Sequence, residues 1–598
     1  MLKLTKENLL ICQNKSQNND AEAICDLARF YYYGKFVGKD VKHAFELCQK
    51  SADLGSARAL KNLGICYEYA EGVQKNNQRA YDYYMLAAQK GCAEAYACLG
   101  NCCFNGYCDV PIDKSRAFSY YLKGAELGDS TCQYYVGWFY HSGEVVAYNI
   151  EEAVKWYQKS ADNGNVDAMI VLGNCLDRGD GITKDSRLAF EYYLKAAKED
   201  NSTAQYYVGT FYHAGDVIER NYNEAISWYK KSADNDNSDA LDMLGNCYYY
   251  GDGVTLDRNQ ALAYYVKAAN LGNVHSMLLA GYMNDFGDGV AKNYQQAVYW
   301  YTKASDSGDG DATLNLANMY IEGKGVAKNI LKGNDLYRKA IQQHNPIAAS
   351  NLGNHYLLGN GVPVSFEEGA KYIRMAEEWG YIHSEDMNNL GCSYKGVKNY
   401  TEAYKCFKKA VEADDTNQMA LWNYGFSLYN GQGTDVDYRA SEQYLTSFLK
   451  RNPNHDQAKL LVKGIELYKN LENCLTLLLQ FIKTHNAAIV DMYLNIDVKS
   501  ENEVIIFVSF IRWDNHRNDN RHIAYYLSEY WDDFESMFSL HKAENSSVGE
   551  KCFYFKKVST IALTKQDVFS VIVNLFKKYP DISLSVDYNR CEITYSEH

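Results

Sequence analysis

A mostly α-helical repeat protein carrying a small α+β domain at its C-terminal end is the fold class the sequence predicts. Three observations carry that expectation. A glycine recurs through the first three quarters of the chain at nearly constant spacing. The 598 residues include 54 Tyr and only 5 Pro, a composition suited to packed helices joined by short glycine-bearing turns. Beyond about residue 486 the apolar pattern changes from helical spacing to alternation.

The recurring glycine falls at Gly64, Gly100, Gly137, Gly173, Gly209, Gly245 and Gly281, then Ala317 in its place, then Gly353. The steps are 36 residues, with one of 37. Ala28 lies one step earlier, and Gly391 and Gly425 continue the series. A fixed period of this length marks a stacked supersecondary unit. Leu244 to Val254 shows the first half of one unit and Ala261 to Ala269 the second. In the second half Ala261, Tyr265, Ala268 and Ala269 fall at i, i+4, i+7 and i+8, one face of a helix. Gly251-Asp252-Gly253 ends the first helix, because glycine takes positive φ without a Cβ penalty. Small residues at Gly245 and Ala261 predict a close approach of the two helices. One such hairpin cannot bury its apolar face alone, so neighbours stack into a continuous core.

The pattern A-x3-L-G-x2-Y-x2-G-x-G-V-x6-A-x2-[WY]-Y-x-K-A, which Ala240 to Ala268 match nearly residue by residue, resembles the Sel-one-like repeat (SLR) family, a relative of the tetratricopeptide repeat. The resemblance spans about residues 20 to 450. It implies a right-handed α-solenoid of about twelve helix–turn–helix repeats, with the first helix of each hairpin lining a concave groove. It also implies an adaptor acting in assembly, signalling or host–microbe contact. Gly106-Tyr107-Cys108 and Gly143-Glu144-Val145 depart from the pattern by lacking the second glycine, and the unit around Gly391 lacks the glycine turn. A second period of 72 residues lies over the first: Trp156, Trp228 and Trp300 recur, Tyr120, Tyr192 and Tyr264 alternate with them, and Asn101-Cys102, Asn174-Cys175 and Asn246-Cys247 occupy alternate units. The organisation expected is a lead or cap helix over 1–20, the repeat array over 21–450, capping helices over 451–486 opened by Asn452-Pro453-Asn454, and a separate domain over 487–598.

In that last domain Val490 to Val498 alternates apolar and polar residues, and Val504 to Trp513 is nearly continuously apolar; both read as strands. Ile523, Leu527, Tyr530, Trp531, Phe534 and Phe538 have helical spacing, as do Val568, Val571, Ile572, Leu575 and Phe576 behind a capping-box-like Thr564 and Asp567. Leu584-Ser585-Val586 and Cys591-Glu592-Ile593 flank a tight turn. The expected order is β-β-α-β-α-β-β, with no family resemblance.

The net charge of −14 excludes nucleic acid as the main ligand, since phosphate binding needs clustered Lys and Arg. No apolar run reaches 18 residues, which predicts no membrane insertion. The N-terminus has no signal-peptide pattern. Seventeen cysteines without such a leader read as reduced thiols and a cytoplasmic setting. There is no phosphate-binding glycine loop, no nucleophile elbow and no H-E-x-x-H pair. The chain therefore reads as a non-enzymatic scaffold for a protein or peptide, with no cofactor and no metal. A homo-oligomer is compatible with the sequence but not implied by it, and a further reading makes the C-terminal domain a dimerisation unit or polar cap.

The candidate binding surface follows from the resemblance, which turns the residues one and four after the first glycine toward the groove, where Tyr134 and Tyr206, three before the glycine, join them. The expected partner-binding residues are Asn101, Tyr134, Trp138, His141, Asn174, Asp177, Tyr206, Thr210, His213, Asn246 and Tyr249. An Asn ladder offers a donor and an acceptor per rung to an extended backbone, and Trp and Tyr anchor contact area at low entropic cost. The thiol cluster Cys92, Cys98, Cys102, Cys103 and Cys108 lacks an accepted zinc spacing. Cys102 shares its slot with Cys175, Cys247, Phe139, Phe211, Met283 and Met319, so it reads as an apolar filler. The rival reading is an effector enzyme using Arg512, Asp514, His516 and His522 in the polar stretch 512–522, which reads equally as a solvated loop.

Overall fold

Within each repeat the chain makes a helical hairpin whose geometry is fixed at its turn. The computed structural model describes residues 3–466, Lys469 and six strands between residues 491 and 596. In the hairpin formed by Ser238–Tyr250 and Arg258–Asn270, the Asn237 side chain accepts from the Ala240 N–H at 2.9 Å and Asp257 accepts from Gln260 at 3.0 Å. Each satisfies an orphan helix donor, and each stabilises its helix by about 1 kcal/mol. Gly251 closes the first helix at φ +83° and donates to the Cys247 carbonyl. Gly253 serves a different need: a Cβ there would lie 2.5 Å from Cβ of Tyr222 in the preceding hairpin. The first glycine thus stops a helix, and the second lets the turn lie on its neighbour.

The chain divides into two compact units. The first comprises residues 1–312 with 324–327. It opens with helix Lys6–Gln17 and carries eight hairpins, from Ala21–Tyr33 with Val41–Asp53 to Val274–Phe286 with Tyr294–Asp306. The second comprises residues 313–323 with 328–598. Its four hairpins run from Gly310–Glu322 with Ile330–Gln342 to Gln418–Asn430 with Tyr438–Arg451, and a further helix covers 456–466.

One contact recurs down the core of the first unit. Tyr84, Tyr121, Tyr157, Tyr193, Tyr229, Tyr265 and Tyr301, all on second helices, are at most 2% exposed. Each ring lies against the repeat glycine of the facing first helix. A Cβ built at Gly64, Gly100, Gly137, Gly173, Gly209, Gly245 or Gly281 would fall 2.4–2.8 Å from the ring. Hydrogen takes the place of a side chain so that a tyrosine can lie flat between two helices. In the second unit the arrangement is modified. Ala317 replaces the glycine, and the small residue moves across to Gly333, where a Cβ would lie 2.4 Å from Ile321. Gly353, Gly391 and Gly425 face Ile373, Phe407 and Leu445.

The described strands of the C-terminal region form a six-stranded antiparallel sheet. β1 (Asp491–Ser500), β2 (Glu503–Ile511), β3 (His541–Lys542), β4 (Phe553–Val558), β5 (Ser583–Asp587) and β6 (Glu592–Ser596) lie in the order β3-β4-β2-β1-β6-β5. β1 and β2 form the central pair, Asp491 opposite Ile511, with a register shift between Val498 and Ser500. The helices expected over Ile523–Phe538 and Val568–Phe576 lie outside the described residues.

The glycine–tyrosine contact sets a stability expectation. Gly245→Ala overpacks the Tyr265 contact and lowers stability by about 1–3 kcal/mol, read as a lower urea midpoint. Gly38→Ala, where an added Cβ meets nothing within 4 Å, leaves the midpoint unchanged.

Candidate functional site

Burying a column of tyrosine rings creates a second problem, because each hydroxyl needs a partner away from water. The repeats solve it in two alternating ways. Tyr121, Tyr193, Tyr265 and Tyr337 donate to the carbonyl oxygens of Asn101, Asn174, Asn246 and Asn318, one residue after the repeat glycine position, at 2.6–2.8 Å. In the intervening hairpins the partner stands four residues after the glycine. Tyr84 donates to Glu68 at 2.6 Å, and Tyr157 lies 3.5 Å from His141 Nδ1. At the same position Asp285 stands near Tyr301 and, behind burial, raises its hydroxyl, yet that hydroxyl has no hydrogen-bond partner among the described residues. The Tyr229 hydroxyl has no hydrogen-bond partner among the described residues, and the His213 ring lies 6.3 Å from its ring. This alternation is the physical content of the 72-residue period. The aromatic alternation on the second helices keeps one contact throughout: Lys159, Lys195, Lys231 and Lys267 sit 4.0–5.5 Å over Trp156, Tyr192, Trp228 and Tyr264.

The Asn ladder therefore differs from the arrangement expected of it. Asn101, Asn174 and Asn246 are half-buried, and the acceptor of each is already committed inside its own hairpin. What remains for a partner is the amide donor, and on Asn246 that group also faces Asp242 at 3.4 Å. Thr210 spends its hydroxyl on the Tyr207 carbonyl of its own helix. Tyr249 donates to Asp288 of the next hairpin, and Arg258 both pairs with that carboxylate and stacks 4.8 Å over the Tyr249 ring. The bond to Asp288 pushes the Tyr249 hydroxyl up to about 12.

The aromatic members retain exposed edges. Tyr134 packs on Tyr135 and Tyr157, and Tyr206 packs on Tyr207 and Tyr229 in the same manner, each ring half-buried. Burial raises both hydroxyls above their ordinary value. Trp138 stands edge-on to Phe104 and Phe139 at 5.3 and 5.1 Å. His141 is exposed, and Asp177 is half-buried. His213 lies 3.6 Å from Asp252 and 3.9 Å from the Cys247 sulfur. Burial holds its imidazole below the ordinary value, which the Asp252 carboxylate opposes.

Two features escaped the sequence reading. Lys61 and Asp242 occupy the same repeat position as Tyr134 and Tyr206, three before the glycine, and a charge in an apolar column was their signal. Lys61 is only 8% exposed and pairs with Glu94 at 3.0 Å. With Arg29, Tyr32, Arg58 and Asn62 it borders a cavity of about 280 Å³ between the first two hairpins. Asp242 accepts from Ser276 Oγ at 2.5 Å and faces His275 Nδ1 at 3.1 Å, both on the next hairpin. Serine and imidazole both address the carboxylate rather than each other, so this is an inter-repeat clamp and not a nucleophile–base pair. Asp386 is held likewise by Ser350, Asn354 and His383. Among the described residues no group of His, Cys, Asp or Glu is placed to hold a metal ion, and no helix is long and apolar enough to cross a membrane. The stretch 512–522, with Arg512, Asp514, His516 and His522, lies outside the described residues.

The model of the Sel1 repeat matches this chain in twelve consecutive copies, from residues 21–56 to residues 418–452. The chain belongs to the Sel1 repeat family. Among solved structures, this Sel1 repeat chain is similar to c5321, a protective antigen of uropathogenic Escherichia coli strains displaying an SLR fold. The two share 28% identity and a TM-score of 0.58, over 74% of this chain and 95% of that one. A Sel1 repeat protein from Oxalobacter formigenes matches at 26% identity and a TM-score of 0.41, over 52% of this chain and 89% of its own. A search of the curated proteins gives no match.

Two measurements test the networks. Asn246→Ala strands the Tyr265 hydroxyl and costs about 1–3 kcal/mol. Combining it with Tyr265→Phe recovers part of that loss in a double-mutant cycle of urea unfolding. The bond to Asp242 holds the His275 imidazole above its ordinary value. Its contribution to stability is thus fully present below the unfolded value of about pH 6.5 and is lost as pH rises through the folded value. NMR titration is expected to show the raised value, and Asp242→Asn to abolish it together with the loss of melting temperature over that window.

Proposed function

We propose that this Sel1 repeat chain is a non-enzymatic scaffold whose first-helix face receives an extended segment of a partner protein. Repeats of this family generally mediate contact between proteins. The observation that carries the reading is the row of half-buried Tyr134, Trp138 and Tyr206, with the amide groups of Asn101, Asn174 and Asn246 beside it. Packing within the hairpins leaves each of these residues only half-buried. They pair aromatic area with outward amide donors at one-repeat intervals, the chemistry that grips an extended backbone. His141, Asp177, Thr210, His213 and Tyr249 border the same face in this reading, supplying polarity rather than anchor area. A right-handed superhelix with this face inside, and a cytoplasmic setting, belong to the same proposal.

The full chain serves as bait in affinity capture, followed by peptide arrays of the captured partner. Replacing Trp138, His141, Tyr206 and His213 together by Ala is expected to weaken binding at least tenfold, about 1.4 kcal/mol, while leaving the circular-dichroism helical signal unchanged. Binding that survives the replacement undiminished overturns the assignment of this face.

A further inference from the structure

The turn joining Ala93–Asn105 to Lys114–Glu126 is built unlike those around it. It holds one residue more, and Cys108 stands where most other repeats place their second glycine. The backbone keeps left-handed geometry there even so, with Cys108 at φ +55° and Asp109 at φ +57°. Residues with a Cβ seldom adopt that region, and cysteine is not among the types that tolerate it best. The cysteine side chain turns inward, 7% exposed, into the cluster that holds Cys102, itself 1% exposed at the end of the preceding helix. Both cysteines are buried members of that one cluster, whereas Cys92 and Cys98 pack against it only partly buried. Cys175 and Cys247 fill the Cys102 slot in later hairpins, but their turns carry Gly181 and Gly253 and offer no second sulfur.

We propose that Cys102 and Cys108 form a reversible dithiol–disulfide site that reacts with small-molecule disulfides of the oxidised-glutathione class. Cys108 is the attacking sulfur and Cys102 the resolving one. The neighbouring Cys102 thiol lowers the Cys108 thiol below its ordinary value, against burial and the Glu68 and Asp109 carboxylates, with Lys75 assisting. The Cys108 thiol, with burial, raises Cys102, which keeps its proton until the second step. Cys98 is pushed up to about 12 by burial, and burial likewise raises Cys103, so neither neighbour competes as a thiolate. The turn around Cys108 is open to solvent at Tyr107, Asp109 and Ile112.

The chemistry balances in two exchanges. The Cys108 thiolate attacks one sulfur of oxidised glutathione; the sulfur–sulfur bond breaks, a mixed disulfide forms, and one glutathione thiolate leaves. Cys102 then loses its proton to solvent and attacks the Cys108 sulfur, and the second glutathione leaves as thiolate. The protein dithiol is oxidised by two electrons and the small disulfide is reduced by two. The product ties the end of one helix to its own turn.

The full chain, folded and reduced, is incubated with oxidised glutathione, blocked with an alkylating agent and digested with trypsin without reduction. Peptide Gly91–Lys114 contains all five cysteines of this region. It is expected to lose two hydrogens, to give no backbone fragments between residues 102 and 108, and to revert with dithiothreitol. Cys102→Ala is expected to stop at one glutathione on Cys108. Cys108→Gly restores the turn of the other repeats, so it keeps the fold and is expected to take up neither glutathione nor a disulfide at Cys102. A bridge that instead pairs Cys98 or Cys103, or a folded chain whose 102 and 108 thiols are both alkylated after exposure that oxidises the urea-unfolded chain, overturns the proposal.

Discussion

The contact between a glycine hydrogen and a tyrosine ring governs the repeat array of the first unit. A ring that lies flat against a backbone needs the facing Cβ to be absent, and Gly245 opposite Tyr265 shows the margin, 2.5 Å to where that carbon would be. Dense interiors transmit such a constraint, because a neighbour cannot yield without disturbing the next contact. The swap at Ala317 and Gly333 shows what is constrained. The total room between two helices must stay constant, whereas the helix that supplies the missing side chain can change.

The buried ring brings a buried hydroxyl, and the hydroxyl then dictates polar residues on the first helix. Where the hydroxyl is answered, one polar side chain suffices, and two positions can provide it; the hydroxyls of Tyr229 and Tyr301 have no partner among the described residues. Asn takes the task one residue after the glycine, and Glu68 or His141 takes it four residues after. The 72-residue pattern is therefore a packing pattern. An Asn that looks free in the sequence has its side-chain carbonyl oxygen committed to a buried tyrosine hydroxyl.

The hairpins are joined by a second kind of polar contact. Asp242 gathers Ser276 and His275 from the following hairpin, and Tyr249 with Arg258 gathers on Asp288. A buried carboxylate needs several donors to offset its lost hydration, so such clamps fix the register between neighbours. Asp242 occupies a position that holds Tyr134 and Tyr206 in other repeats. Individual repeats can thus differ in what they present without changing how they stack.

The sequence by itself determined the repeat, its period, the two-helix unit and the turn chemistry. Those depend on local rules: helical spacing of apolar residues, side-chain caps and positive φ at glycine, each readable within one unit. It also exposed the alternation of Asn-bearing units, but not its cause. Only the tertiary structure decided that Asn246 answers Tyr265, 19 residues away, that Lys61 and Asp242 are charges drawn into an apolar column, and that Cys108 turns into the buried cluster that holds Cys102. The physical reason is direction. Spacing places a residue on a helix face, but which polar atoms meet depends on how the two helices approach, and that approach is set by a glycine pressed against a tyrosine.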